Sequence, residues 1–473
     1  MVVMEATMFV VAEPSAQRAL LFVPSGAEWL LTSFALALSA LVVLGGRLSE
    51  RWGSRVALYV GLVGFAAASA LGATAQDFIM LLSAIVLQGV FCALLAPAAL
   101  SALSATFLEA NERARAFAVY GVIAGSAVPL GLVLSGALIR WASWRWCFLI
   151  DVPFAALAIL GVAICLKGSP RERARLDLLD ALLAGGGLFL LVYGFSHAVF
   201  TIWPIFLTFD WLIGATTSWL HYSIWGSLAS GVVLLTLFRA RRRRSTQPWL
   251  GGRQWMNRTL AGSLLGLFIA GVGVSVMFVF LTDHLVRTGN YSPLHAGVLF
   301  LPFVIGVVLS SLFASARLLA KSGPRPLIPT GMLLSMMGTV LFTRITNFTD
   351  YWDHVMPGLV LVGLGLGLII APAVATAIPR RLAGTASATV VLTQLLGGVL
   401  GAAVLSSIGV RVALRAFIHS NGSPSVARVT GLQHAYSVVD WSTAALFGLG
   451  AVATFFLLDS GTAISDQEFV AAT

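Results

Sequence analysis

Arg47-Leu48-Ser49-Glu50-Arg51-Trp52-Gly53-Ser54-Arg55 recurs as Arg317-Leu318-Leu319-Ala320-Lys321-Ser322-Gly323-Pro324-Arg325. Both copies follow one pattern: Arg-Leu, two free positions, a cation, one free position, Gly, one free position, Arg. Each copy separates two apolar stretches of roughly twenty residues, the length that spans a hydrocarbon core about 30 Å thick as helix. A weaker echo pairs Leu94-Leu95-Ala96-Pro97-Ala98 with Ile369-Ile370-Ala371-Pro372-Ala373, in the same order and at a similar offset. Two matches in one order imply a helical unit used twice, the arrangement in which one half can rock against the other around a central site.

Outward from the repeat, apolar stretches fill the rest of the chain. Of its 473 residues 58% are hydrophobic and 10% charged, against roughly 25% charged in soluble domains. A water-soluble core is excluded, and an all-α polytopic membrane protein is expected. Spans are predicted near 1–22, 28–46, 56–75, 79–105, 114–138, 144–166, 179–200, 221–238, 260–286, 293–316, 326–344, 355–378, 386–410 and 438–458, about fourteen transmembrane helices in all. The repeat groups them into two six-helix bundles, 1–167 and 258–460, flanking a two-helix insert at 176–240, with a tail at 461–473.

The cations set the orientation. Arg47, Arg51 and Arg55; Arg113 and Arg115; Lys167, Arg171, Arg173 and Arg175; Arg239, Arg241 to Arg244, Arg253 and Arg258; Arg317, Lys321 and Arg325; and Arg380 and Arg381 occupy alternate gaps and hold most of the 29 Lys and Arg. Basic loops stay cytoplasmic, so both termini and the tail are expected there, in a cell (inner) membrane. Parity keeps the apolar segment 201–220 on the outer face, with Trp203, Trp211 and Trp219 at the interface. The net charge of +10 does not imply nucleic acid, because the arginine run follows a membrane helix, where it anchors the end and attracts anionic lipid.

Other classes find little support. An enzyme would cluster nucleophile, base or metal ligands, but the seven His are scattered. Asp283-His284 is the closest acid–His pair and reads as a solvated loop end. Cys92, Cys147 and Cys165 lack metal spacing and read as packing residues within helices. No pore-lining ring or selectivity loop marks a channel, and no cleavable signal precedes the first apolar run. No metal and no soluble cofactor is expected.

The residues resemble the fourteen-helix drug:proton antiporter branch of the major facilitator superfamily over essentially the full length. Gly46 to Arg55 is similar to the superfamily loop G-x-L-a-D-r-x-G-r-k, with Glu50 in the Asp position. Ser143-Trp144-Arg145-Trp146-Cys147-Phe148-Leu149-Ile150-Asp151-Val152-Pro153 is similar to the branch-specific W-R-W-x-F-x-I-N-x-P. The resemblance implies a major facilitator fold and a secondary transporter exporting small amphipathic or cationic molecules by alternating access as a proton antiporter. Its partners would be the substrate, protons and the bilayer.

Within that resemblance the chemistry can be assigned residue by residue. Gly46 and Gly53 permit a tight turn, and Glu50 can reach arginines and a neighbouring helix N-terminus; with Arg51 and Arg55 they form a gating latch. Met4-Glu5-Ala6-Thr7 matches the family's first-helix L-D-x-T, which makes Glu5 the proton-coupling acid. A dehydrated cavity penalises a carboxylate, so such a group takes up and releases protons as water access alternates. Gln88 is expected in the substrate cavity. Glu13, before Pro14, either attracts a cationic substrate there or sits near the outer surface beside Arg18. Gly131 and Gly136 permit close helix packing. Asp151, in place of the family Asn, reads as a helix-end residue at the membrane boundary, and Asp177 and Asp180 as dipole-suited acids at a helix start.

Three departures stand out. Ile85 replaces an arginine thought to tune the coupling acid, which favours an uncoupled facilitator or a transporter-derived sensor as the alternative. Leu132 replaces a proline in the fifth span. Only residues 1–12 precede the Glu13-Pro14 interruption, so either the chain begins further upstream or the first helix starts part-way into the membrane.

Overall fold

The computed structural model describes residues 2–22, 24–107, 109–166, 177–207, 222–243, 258–287, 291–345, 351–378, 383–418 and 424–458. The first bundle contains α1 (Val2–Leu20), α2 (Pro24–Trp52), α3 (Ser54–Ala73), α4 (Phe78–Thr106), α5 (Ala110–Trp141), and a sixth span divided into α6 (Arg145–Leu149) and α7 (Asp151–Cys165). The insert is α8 (Leu178–Leu207) and α9 (Tyr222–Arg243). The second bundle begins with α10 (Arg258–Arg287). Its next span comprises α11 (Pro293–Leu299), α12 (Leu301–Leu309), a π-helical segment Ser310–Ser315 and α13 (Ala316–Ser322). Then come α14 (Pro324–Phe342), a π-helical segment Tyr351–Val355 leading into α15 (Met356–Ala377), α16 (Ala383–Ile418) and α17 (Pro424–Leu457).

Among the described residues thirteen segments are long and apolar enough to cross a bilayer, and α1, with Glu5, Glu13 and Arg18 along it, is the fourteenth helix. The chain is a multi-pass membrane protein. Backbone groups in hydrocarbon must pair within their own segment, which is why each apolar stretch is helical. Hydropathy marks the part in lipid, so the helices overrun it: α2 continues through the polar residues 47–52, and α17 begins at Pro424 rather than near 438.

Prolines account for most of the breaks. Pro153 removes an amide donor just after the break at Ile150, and Pro302 does so at the α11–α12 junction. Pro14, by contrast, does not interrupt α1, which runs through it to Leu20. The expected break at Glu13-Pro14 is therefore absent; a single lost hydrogen bond is tolerated where the rest of the helix stays paired.

The repeat is visible in the backbone. Gly53 has φ 84° and Gly323 φ 70°, each turning the chain between consecutive helices (α2 to α3, α13 to α14) in a region closed to most side chains. Ser54 and Pro324 then open the next helices.

Apolar burial drives little association inside lipid, so close approach of small residues holds the helices together. A Cβ placed on Gly131 of α5 would lie 2.2 Å from Thr7 Oγ1 of α1, and one on Gly136 would lie 2.9 Å from Leu294 Cα of α11. The halves meet along two seams. On one, α5 packs on α11 to α13 and α15, with Gly125 against Val307 and Gly121 against Ala371; on the other, α2 and α4 pack on α16. The α8–α9 hairpin lies beside the second seam and touches both halves. Gly185 sits against the Ala40 carbonyl of α2, where a Cβ would come within 2.1 Å of the oxygen, while Leu188 joins an apolar cluster with Ala388 and Leu392 of α16.

At the arginine-rich end, Asp177 caps α8 by accepting from the amides of Leu179 (3.1 Å) and Asp180 (3.4 Å). Arg241 of α9 pairs with both acids, 3.2 Å from Asp177 and 3.2 Å from Asp180. The Arg241 guanidinium, aided by those amides, holds the Asp177 carboxyl below its ordinary range. A depressed carboxyl stabilises above its unfolded pKa and loses that contribution as pH falls through its folded value. The start of α8 should therefore keep its amide-exchange protection at neutral pH and lose part of it below about pH 4. Arg241→Ala should give the same loss at neutral pH; unchanged protection in both would remove the staple.

Several expectations need correction or fall elsewhere. Cys92 and Cys147 are buried, but Cys165, the last residue of α7, is exposed and does not pack. Helix α8 continues past residue 200 to Leu207. Residues 208–221, with Trp211 and Trp219, lie outside the described residues, as do the side chain of Trp203, the tail 461–473, and Lys167, Arg171, Arg173, Arg175, Arg244, Arg253, Arg380 and Arg381.

Candidate functional site

Glu5 lies in the first turn of α1, 4% exposed. Gln88 Nε2 of α4, itself 1% exposed, donates to Glu5 Oε1 at 2.9 Å and lies 2.9 Å from Ser69 Oγ of α3. Gln88 thus positions the acid and is part of the packed first half, not an open wall of a cavity. Around this node Met8, Phe9, Ala12, Leu81, Ile85, Trp144 and Phe148 form one apolar cluster. Ile85 is 3% exposed and fills apolar space where the resemblance implies an arginine. Glu13, two turns further along α1, is half-buried and has no hydrogen bond or ion pair among the described residues.

Asp151 departs most from expectation. It stands at a helix end as expected, the first residue of α7, but is 0% exposed. Its carboxyl group is within hydrogen-bonding reach of that of Glu5. The branch-specific motif builds this placement. Arg145 Nη2 donates to the Ala75 carbonyl just beyond α3 at 2.6 Å and lies over the Trp144 ring at 4.6 Å, while Phe148 packs edge-on to Phe9 of α1 at 5.8 Å. Those contacts anchor α6, and Asp151 opens α7 one residue beyond the break at Ile150.

The second group closes the arginine-rich end. Glu50 Oε1 accepts from the backbone N–H and the hydroxyl of Thr385, both at 2.7 Å, in the first turn of α16. Gly46 and Gly384 bring the helices together there: a Cβ on Gly46 would lie 2.6 Å from the Gly384 oxygen, and one on Gly384 2.5 Å from the Gly46 oxygen. Arg113 of α5 donates to the Ala375 carbonyl at 3.4 Å and more closely to that of Ile378, at the end of α15. One half thus caps a helix N-terminus of the other with an acid and a helix C-terminus with a cation, each the sign that the exposed backbone groups favour. Arg51 is exposed; Arg55 donates to Ala163 of α7 at 3.4 Å.

Sequence reading missed Arg113, which looked like a topological cation, and the Thr385–Gly384 side of the latch. It also misplaced Asp283. That residue is 8% exposed and accepts from Tyr436 of α17 at 2.6 Å, with the His284 ring edge-on to Tyr436 at 5.7 Å. It is a buried helix–helix contact, not a solvated loop end. Among the described residues no group of three His, Cys, Asp or Glu could hold a metal.

Two repeated six-helix units, cross-capped at one end and carrying a buried acid in the first helix, have the architecture of a secondary transporter. The chain belongs to the Major Facilitator Superfamily, whose sequence pattern matches residues 1–402. The puromycin resistance protein pur8 of Streptomyces alboniger is 36% identical over 473 residues, 99% of this chain and 90% of that protein. The cephamycin export protein CmcT of Amycolatopsis lactamdurans is 28% identical over 422 residues, 86% of this chain and 82% of that one. Among solved structures, the proton:xylose symporter XylE superposes with a TM-score of 0.62 at 15% identity, covering 100% of this chain and 96% of that chain, a likeness of fold alone.

Proposed function

We propose that this protein exports antibiotic-like amphipathic or cationic molecules across the cell membrane by alternating access, in exchange for protons moving inward. Its arginine-rich end faces the cytoplasm. The observation that carries the reading is the pairing of a buried acid at Glu5 with a latch from Glu50 to Thr385: one group senses a proton, and the other closes the cytoplasmic side. The relatives named for puromycin resistance and cephamycin export support the substrate class. Substrate would occupy a chamber between the halves, with Glu13 the acid free to attract a cation.

Ile85 favours a second reading, an uncoupled facilitator, because among the described residues no arginine stands beside the acid. Purified protein in proteoliposomes separates the two. An imposed pH gradient should drive puromycin accumulation above equilibrium, and collapsing the gradient should abolish it. Equal equilibration with and without the gradient would favour the facilitator. No movement across a broad antibiotic panel would overturn export and leave a sensor.

A further inference from the structure

Three buried carboxyl oxygens in the first half lack a donor: Glu5 Oε2, Asp151 Oδ1 and Asp151 Oδ2. Buried oxygens without partners are rare in native proteins and call for an explanation. Here the two carboxyl groups face each other. As two carboxylates both are acceptors, and the contact is repulsive. With one proton between them it becomes an O–H···O hydrogen bond that gives a donor to one orphaned oxygen and disperses the remaining charge over both groups.

Resting on the export reading above, we propose that Glu5 and Asp151 form one proton-carrying pair: a single proton shared between α1 and α7 is the unit loaded and released in each cycle, and Asp151 stands in for the missing arginine as the group that tunes Glu5. Gln88 Nε2 occupies Glu5 Oε1, which leaves Oε2 to face the partner. Ser69 steadies Gln88 from α3. Among the described residues, the thiols of Cys92 on α4 and Cys147 on α6 lie within electrostatic range of the pair. Against α1, α5 presents Gly131 rather than a charge. Loaded, the pair holds one proton and one negative charge spread over both groups; release leaves two facing carboxylates, a state favoured only when the two groups are drawn apart or reached by water. Because the two carboxyls sit on different helices, a movement that draws α7 away from α1 changes the affinity for the shared proton.

The test reads protonation rather than transport. In infrared titration of the purified protein without substrate, the carboxylic C=O band of the pair, isolated by subtracting the Glu5→Gln/Asp151→Asn double variant, should persist to alkaline pH in the wild type. Removing its proton leaves two adjacent anions. In Asp151→Asn and in Glu5→Gln the surviving acid faces an amide, so its band should disappear at least about one pH unit lower. A titration of Asp151→Asn that superimposes on the wild type would overturn the shared proton. Because no substrate is involved, a dead transport assay beside a normal titration would count against export and leave the pair standing, and the converse would sink the pair alone.

Discussion

Glu5→Gln abolishes proton-driven accumulation of antibiotic in proteoliposomes while leaving the protein folded. A gradient of about two pH units is worth about 2.7 kcal/mol per proton, a roughly hundredfold accumulation ratio for one proton per substrate. A membrane potential adds about 2.3 kcal/mol per 100 mV for each charge moved. Gln at position 5 keeps the acceptor that Gln88 uses and offers an N–H to Asp151, so it imitates the protonated acid and cannot release its proton. The ratio should fall to parity, whereas exchange of labelled for unlabelled antibiotic, which needs no net proton movement, should continue. If the imposed gradient drives the same accumulation in Glu5→Gln as in the wild type, Glu5 is not the coupling acid.

Gly384→Val is expected to remove the closed state of the arginine-rich end. The added Cβ would meet backbone, the Gly46 oxygen at 2.5 Å, and also Glu50 Cγ at 2.8 Å, so relief requires α2 and α16 to separate. Separation also breaks both hydrogen bonds from Thr385 to Glu50, each charge-assisted and worth about 1.5–3 kcal/mol. A penalty of about 3 kcal/mol or more shifts the open-to-closed ratio by over roughly a hundredfold. Spin labels on the ends of α2 and α16 should report a longer and broader distance, and transport should fall by a similar factor. Gly161→Val is the matched control: no atom lies within 4 Å of a Cβ there, and transport should be unaffected. Wild-type distances and rates in Gly384→Val would refute the latch.

Much of the architecture was legible because lipid imposes simple rules. A bilayer dictates span length, and cation placement groups the loops. The repeated glycine could be read as a tight turn before its positive φ was seen at Gly53 and Gly323. Glu50 was legible for the same reason: a carboxylate just before a short turn has a helix N-terminus within reach. What could not be read depended on which helices become neighbours. Asp151 looked like a boundary residue because hydropathy places it near the edge of an apolar stretch; its burial beside Glu5 depends on which helices pack around the start of α7. Arg113 looked like any positive loop residue until the end of α15 was found beside it, and Asp283 needed Tyr436, which lies 153 residues away in sequence. Pro14 misled in the opposite direction, since a rule derived from helices in water overstates what one lost amide does in a helix braced by neighbours.

The insert carries a mechanical consequence. Its hairpin is seated on α2 by backbone contact at Gly185, with the Tyr193 ring 6.2 Å from that of Trp29, but it meets α16 through the side chains of Leu188 and Leu392. A backbone seat does not slide, whereas apolar side chains in lipid exchange neighbours at little cost. Under the proposed alternating-access cycle the hairpin is expected to travel with the first half and slide along α16, like a keel fixed to one hull and moving past the other. In that cycle the hairpin would carry the lipid-facing side of the seam with it, which makes the thickness of the surrounding bilayer an expected influence on the movement.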